Sequence, residues 1–270
     1  MLPFWVSIGC LSLAQGGLVL LPRPEPFPVL ARLGSRWWAL VPSASVAAVV
    51  AGVSASGDTA QALTYLALAG VPVLAAIALA RAVRRGTPVL ALAVVGLFAV
   101  AWAARSSLAG QTAGLLLDAL SCVTLGALLA AVAPARWLKL GILAMAVVDA
   151  VLVLADLLQA PNRVLVAAAP PHGLPQLQSV AFGSAQMGYG DLFIAAALGA
   201  LLAAAGPTRR RAGALTAAFA VTFDLLFLWV PELPATVPVA LALIGVELAA
   251  RGSPRRPAAR VAGASAAGRL

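Results

Sequence analysis

Long apolar runs separated by short clusters of charge, proline and glycine dominate this chain. They lie at 2–21, 37–56, 61–80, 88–105, 112–133, 138–159, 181–205, 212–230 and 234–250, and most are close to the roughly 20 residues an α-helix needs to cross about 30 Å of hydrocarbon. Apolar residues fill whole turns instead of alternating, so the pattern predicts helices and not the strands of about ten residues that build a membrane barrel. The expected fold is an all-α polytopic membrane protein of nine transmembrane helices. Runs six and seven are joined by the longest internal connection, "APNRVLVAAAPPHGLPQLQS". Within it "RVLVAAA" reads as a short strand and the Pro-Gly cluster as a loop, and long structured loops tend to be functional.

Composition strengthens this picture. Of 270 residues, 62% are hydrophobic and 10% charged, against about 45–50% and about 25% in a soluble domain. The net charge of +9 does not point to nucleic acid, because the basic residues are scattered through interhelical loops instead of gathered on one soluble face. The first run has no Lys or Arg before it and so lacks the basic start of a secretory signal, which favours a retained first helix. Cys10 and Cys122 both fall in apolar runs, offering neither a disulfide framework nor a metal site. No metal or other cofactor is expected.

Basic residues also predict topology. With nine spans, one side of the membrane holds Arg23, Arg32, Arg36, Arg81, Arg84, Arg85, Arg136, Lys139, Arg209, Arg210, Arg211, Arg251, Arg255, Arg256, Arg260 and Arg269, and the other only Arg105 and Arg163. Cytoplasmic loops carry such an excess, so the N-terminus is expected outside and the C-terminus in the cytoplasm. The expected organisation is a single transmembrane domain over 1–250, with scaffold helices in 1–137 and the chemistry-bearing helices in 138–250. A basic tail over 251–270 has too little apolar mass to pack. The expected location is the cell membrane, multi-pass, in a prokaryotic plasma membrane.

Six of the nine acidic residues fall inside the runs: Asp118, Asp149, Asp156, Asp191, Asp224 and Glu247. A central Asp costs roughly 2.5–3.5 kcal/mol on insertion scales, so each needs a partner, a proton or a water-filled cavity. One reading is that they merely join helices through hydrogen bonds. Spacing suggests more for two of them. Asp149 is near the middle of run six, with Asp156 seven positions on and nearly on the same helical face. Asp191 is near the extracytoplasmic start of run seven, after glycines that would relax a helix. Two carboxyls a few Å apart in a low-dielectric site share a proton, one acting as base and the other as acid, which suits activation of water against a peptide carbonyl. Asp118, Asp156, Asp224 and Glu247 read as secondary: Asp156 to tune the pair or face its cavity, Asp224 to bond a neighbouring helix, Glu247 to reach the cytoplasmic interface.

Three segments in order resemble the presenilin and signal peptide peptidase family of intramembrane aspartyl proteases. "MGYGDLFI" is similar to its Gly-x-Gly-Asp motif, "AVVDAVLV" to the helix bearing its preceding catalytic Asp, and "VPELPATVPVALALIG" to its Pro-Ala-Leu motif and final helix. The resemblance implies a prokaryotic presenilin-like fold and an intramembrane aspartic endopeptidase with Asp149 and Asp191 as catalytic pair. It further implies that Gly188, Tyr189 and Gly190 support the active site with accessible backbone, and that Pro234, Ala235 and Thr236 lie beside the pair. Since Pro234 has no N–H and cannot complete the preceding turn, Leu233 and its neighbours are expected to present backbone to an unwound substrate. The implied substrates are transmembrane-helix proteins or peptides, such as remnant signal peptides or type II membrane proteins, met in the lipid bilayer. Neither nucleic acid nor accessory subunits are indicated. Two departures stand out: Val148 where the family commonly has Tyr, and Thr236 where it has Leu.

Other chemistries lack their parts. His172 is the sole histidine, no His-Glu-x-x-His occurs, and "FGSAQ" lacks the second glycine of a rhomboid-like Gly-x-Ser-Gly. Prepilin peptidases share Gly-x-Gly-Asp, but commonly have Lys where Phe193 stands. A proton- or cation-coupled transporter is the alternative from another class, since membrane-embedded Asp residues also mark ion pathways. No internal repeat favours it. A third reading is an inactive homologue that only binds helices.

Overall fold

The computed structural model describes residues 2–252. The chain is mostly helical, in the order α1 (Phe4–Leu18), α2 (Val41–Ala55), α3 (Gly57–Ile77), α4 (Ala93–Ala103), α5 (Leu108–Val132), α6 (Ala135–Leu154), α7 (Gln159–Ala167), strands β1 (Ser179–Phe182) and β2 (Ala185–Gly188), then α8 (Tyr189–Leu201), α9 (Gly206–Asp224) and α10 (Val237–Gly252). Tight 3₁₀ turns lead into α2 and α4, and a π-turn, Ala78–Ala82, ends α3. Among the described residues five helical segments are long and apolar enough to cross a membrane: Arg36–Ala55, Gly57–Ala82, Leu108–Val132, Ala135–Leu154 and Gly206–Leu228. Shorter apolar helices cover Phe4–Leu18, Pro88–Ala103 and Tyr189–Leu201.

Burial is inverted relative to a water-soluble protein. Leu66, Val95, Leu154 and Trp229 are exposed, while Ser7, Gln15, Thr64, Asp118, Thr124, Asp149 and Thr216 are buried. An apolar exterior around polar interior groups is what hydrocarbon solvent selects, because nothing outside satisfies a donor or acceptor. The chain is therefore read as an α-helical membrane protein.

Helix α5 is the hub, packed on α3, α4 and α8, while α9 is flanked by α1 and α10. Lipid tails provide no hydrophobic drive between helices, so close backbone approach is needed. Gly126 of α5 supplies it: a Cβ there would meet the Ala197 nitrogen of α8 at 2.7 Å. Gly16 of α1 does the same against Ala217 of α9, also at 2.7 Å. Local signals set helix starts, as where the side chains of Ser56 and Ser107 accept N–H groups of Asp58 and Gly110 ahead of α3 and α5.

Several expectations need correction. The strand expected at "RVLVAAA" is helix α7. Pro161 and Leu165 turn inward at helical spacing, and Pro161 sits in the first turn, where its missing N–H has no intrahelical partner to lose. Run seven does not begin as helix. Its first residues form an antiparallel hairpin pairing Phe182 with Ala185 and Ser179 with Gly188. The two-residue loop places Gly183 at φ +63, a backbone that glycine accepts without strain. Run six ends early, at Leu154, with exposed Asp156 beyond it at φ +55, so Asp156 does not share the helical face of Asp149. At the C-terminal end, Arg251 and Gly252 belong to α10, and the rest of the expected tail lies outside the described residues.

Candidate active site

Asp149 is in the last part of α6 and only 8% exposed. Its Oδ2 accepts two hydrogen bonds from Thr236, one from the hydroxyl at 2.7 Å and one from the backbone N–H at 3.2 Å. Thr236 belongs to the irregular segment before α10, and α10 packs on both α6 and α8. Prolines 231 and 234 keep this segment from joining a helix, which leaves the Thr236 N–H free to point at a side chain.

Asp191 is the third residue of α8. Its Oδ2 accepts the N–H of Gly188 at 3.1 Å, closing the first turn as an acidic N3 residue commonly does. The glycines thus differ from the sequence expectation. Gly188 precedes the helix and Gly190 is its second residue, so backbone accessibility arises from a helix start and not from a loosened helix interior. Open space surrounds the Cβ position of Gly190, whereas a Cβ on Gly188 would stand 3.0 Å from Asp191 Oδ2.

The helix that carries Asp149, α6, packs on α8, the helix that carries Asp191. Asp149 is the charged side chain whose field acts on the Asp191 carboxyl. Each carboxyl is engaged by protein donors through Oδ2, and among the described residues no protein donor occupies either Oδ1. Such a pair can hold one proton between two acids and orient a water molecule. Among the described residues no group of three or more His, Cys, Asp or Glu side chains is arranged to bind a metal.

Gln15 completes the cluster and escaped sequence analysis. This buried α1 amide donates to the Ala235 carbonyl at 2.7 Å and to the Asp191 carbonyl at 3.4 Å, tying the Pro-Ala-Thr segment to the start of α8. The available signal was a lone amide in the apolar run "CLSLAQGGLVLL". Tyr189 is tied to α5: its hydroxyl pairs with Ser121 at 2.6 Å, and Cys122 donates to its carbonyl. Pro234 is buried and Leu233 half-buried beside Thr236.

The remaining acids are spread through the bundle. Asp118 is buried in α5 with an unpartnered Oδ1. Asp224 accepts from Ser12 of α1 at 2.7 Å, the interhelical bond expected of it. Glu247 pairs with Lys139 at 2.6 Å, joining α10 to α6. No protein-family model, curated protein or solved structure matches the chain.

Proposed function

We propose that the protein is an intramembrane aspartyl protease, with Asp149 and Asp191 as a proton-sharing pair that activates water against a peptide bond of a transmembrane helix. The observation that supports this reading is the packing of the Asp149 helix, α6, on the Asp191 helix, α8, with Thr236 donating twice to Asp149. One carboxyl in its basic form takes a proton from water while its protonated partner donates to the carbonyl oxygen of the substrate. A helix resists this chemistry because its carbonyls are bonded internally, so a substrate segment must unwind. The irregular stretch Leu233–Ala235 offers backbone that an extended substrate can pair with.

The proposed topology has nine spans, the N-terminus outside and the C-terminus in the cytoplasm. It rests on a helix in each of the nine apolar runs and on the sixteen-to-two division of basic residues. That orientation matches the signal peptide peptidase arrangement, so preferred substrates have cytoplasmic N-termini, as remnant signal peptides and type II membrane proteins do. The test is cleavage of a transmembrane reporter by purified protein reconstituted in vesicles. Cleavage blocked by a hydroxyl-bearing mimic of the tetrahedral intermediate is expected, and an intact reporter across substrates of both orientations would overturn the proposal. Reporter fusions to the C-terminus test the topology separately, and an extracytoplasmic signal would reverse it.

A further inference from the structure

The ends of α1, α3 and α9 enclose a second polar site, separated from Asp191 by the length of α8 and unused by the proposed chemistry. Arg209 lies in the first turn of α9 and is only 3% exposed. One terminal nitrogen of its guanidinium donates to the Pro22 carbonyl at 2.9 Å, and its buried Nε has no partner. The adjoining backbone is fixed. The Arg84 amide donates to the Leu21 carbonyl at 3.3 Å, the Arg23 amide donates to the Ala82 carbonyl at 2.7 Å, and Pro22 bridges to Val83. Arg84 and Arg209 thus anchor on adjacent carbonyls, Leu21 and Pro22. Arg84 and Arg210 are also the charged neighbours whose fields act on Arg209.

Like charges gathered at the positive end of a helix repel one another and the helix dipole. Among the described residues the one ion pair is Lys139–Glu247, so no carboxylate neutralises this group. A covered guanidinium with an unused N–H, two further cations and a helix N-terminus together make an anion site. In the proposed topology, on which this inference rests, α1 and α3 end and α9 begins at the cytoplasmic face, the level of the lipid head groups.

We propose that Arg84, Arg209 and Arg210 form a phosphate-binding site that holds the head group of an anionic phospholipid at the ends of α1, α3 and α9. Guanidinium and phosphate match in a forked geometry, and the phosphate occupies the N–H of Arg209 Nε while offsetting the repulsion among the three cations. Binding fastens the loop after α1 to the starts and ends of two other helices.

The test is a thermal-melting titration of the full-length protein in neutral detergent, with phosphatidylglycerol, phosphatidylcholine or inorganic phosphate added separately. Phosphatidylglycerol is expected to raise Tm saturably and phosphatidylcholine to do so at least about tenfold less tightly, since each cation near an anionic head group is worth about a factor of five. The double variant R84Q/R210Q changes exposed side chains and keeps the buried Arg209, so it folds; its affinity for phosphatidylglycerol should fall about tenfold or more. R209K, which keeps the charge but loses the fork, should weaken binding as well. Equal affinity for the two lipids, or unchanged affinity in the double variant, would overturn the proposal. Stabilisation by inorganic phosphate alone, lost in the double variant, would keep the phosphate site but overturn the lipid as its occupant.

Discussion

The hydroxyl of Thr236 donates to Oδ2 of Asp149 at 2.7 Å, and the N–H of the same residue donates to the same oxygen at 3.2 Å. One residue thus fixes the carboxyl by two bonds to a single oxygen from the segment that precedes α10, and no protein donor among the described residues takes the other oxygen. The hydroxyl at the position where the presenilin-like pattern carries Leu makes the shortest hydrogen bond to either carboxyl.

Removing that hydroxyl while keeping the side-chain shape, in Thr236→Val, is expected to lower cleavage by about tenfold or more. Hydrogen bonds to charged groups contribute about 1.5–3 kcal/mol, and about 1.4 kcal/mol is tenfold. Thr236→Ser keeps the donor and should retain most activity. Initial rates on a reconstituted transmembrane reporter provide the comparison, and equal losses in both variants would remove the hydroxyl from the explanation.

The two glycines before Asp191 should behave differently. A methyl at Gly188 meets Asp191 Oδ2 at 3.0 Å, whereas one at Gly190 meets nothing within 4 Å. Gly188→Ala is expected to lower both the melting temperature and cleavage. Gly190→Ala should hold or slightly raise the melting temperature, since Ala in a helix is favoured over Gly by roughly 0.5–1 kcal/mol, and any loss should be confined to kcat/KM. Paired melting and rate measurements separate these effects, and a lower melting temperature for Gly190→Ala would contradict the geometry.

Gln15 links α1 to both halves of the site through the carbonyls of Ala235 and Asp191. Gln15→Leu leaves the Ala235 carbonyl without its donor, at a cost of about 1–3 kcal/mol. A lower thermal midpoint in detergent is expected, together with reduced cleavage. An unchanged midpoint would show that the amide does not hold the segment in place.

Cleavage should follow a bell-shaped dependence on pH. At low pH both aspartates carry protons and no base remains, and at high pH both are ionised and no acid remains. Activity is therefore lost on both sides of an interval in which the pair holds one proton. Measuring kcat/KM across pH checks this, and a single sigmoid rising with pH would indicate one essential base instead of a pair.

Apolar runs were the most legible feature of the chain, and each of the nine contains a helix. Four-residue strands were not legible: the alternation in "SVAF" and "AQMG" is too short to stand out from an apolar run read at helical period. The end of α6 was equally hidden. Nothing in "VLVLADLLQ" marks a stop at Leu154, so helical spacing alone puts Asp156 on a face with Asp149 that the structure does not give it. In the candidate site, Asp149, Asp191 and the Pro-Ala-Thr segment were legible as motifs, because charge is rare in such a background and the three segments fall in a recognisable order. Gln15 was not, since its contacts reach residues 176 and 220 positions away and no local pattern encodes such distances. The same limit applies to Arg209, which reads as one of three consecutive loop arginines until the fold buries it against Pro22.

The most direct measurement is single-turnover cleavage of a transmembrane reporter by Asp149→Asn, Asp191→Asn and the double variant, each shown by its melting curve to be folded. If the aspartates work as one proton-sharing unit, either single substitution should abolish cleavage as fully as the double. Substantial cleavage by either single variant would contradict the pairing of Asp149 with Asp191.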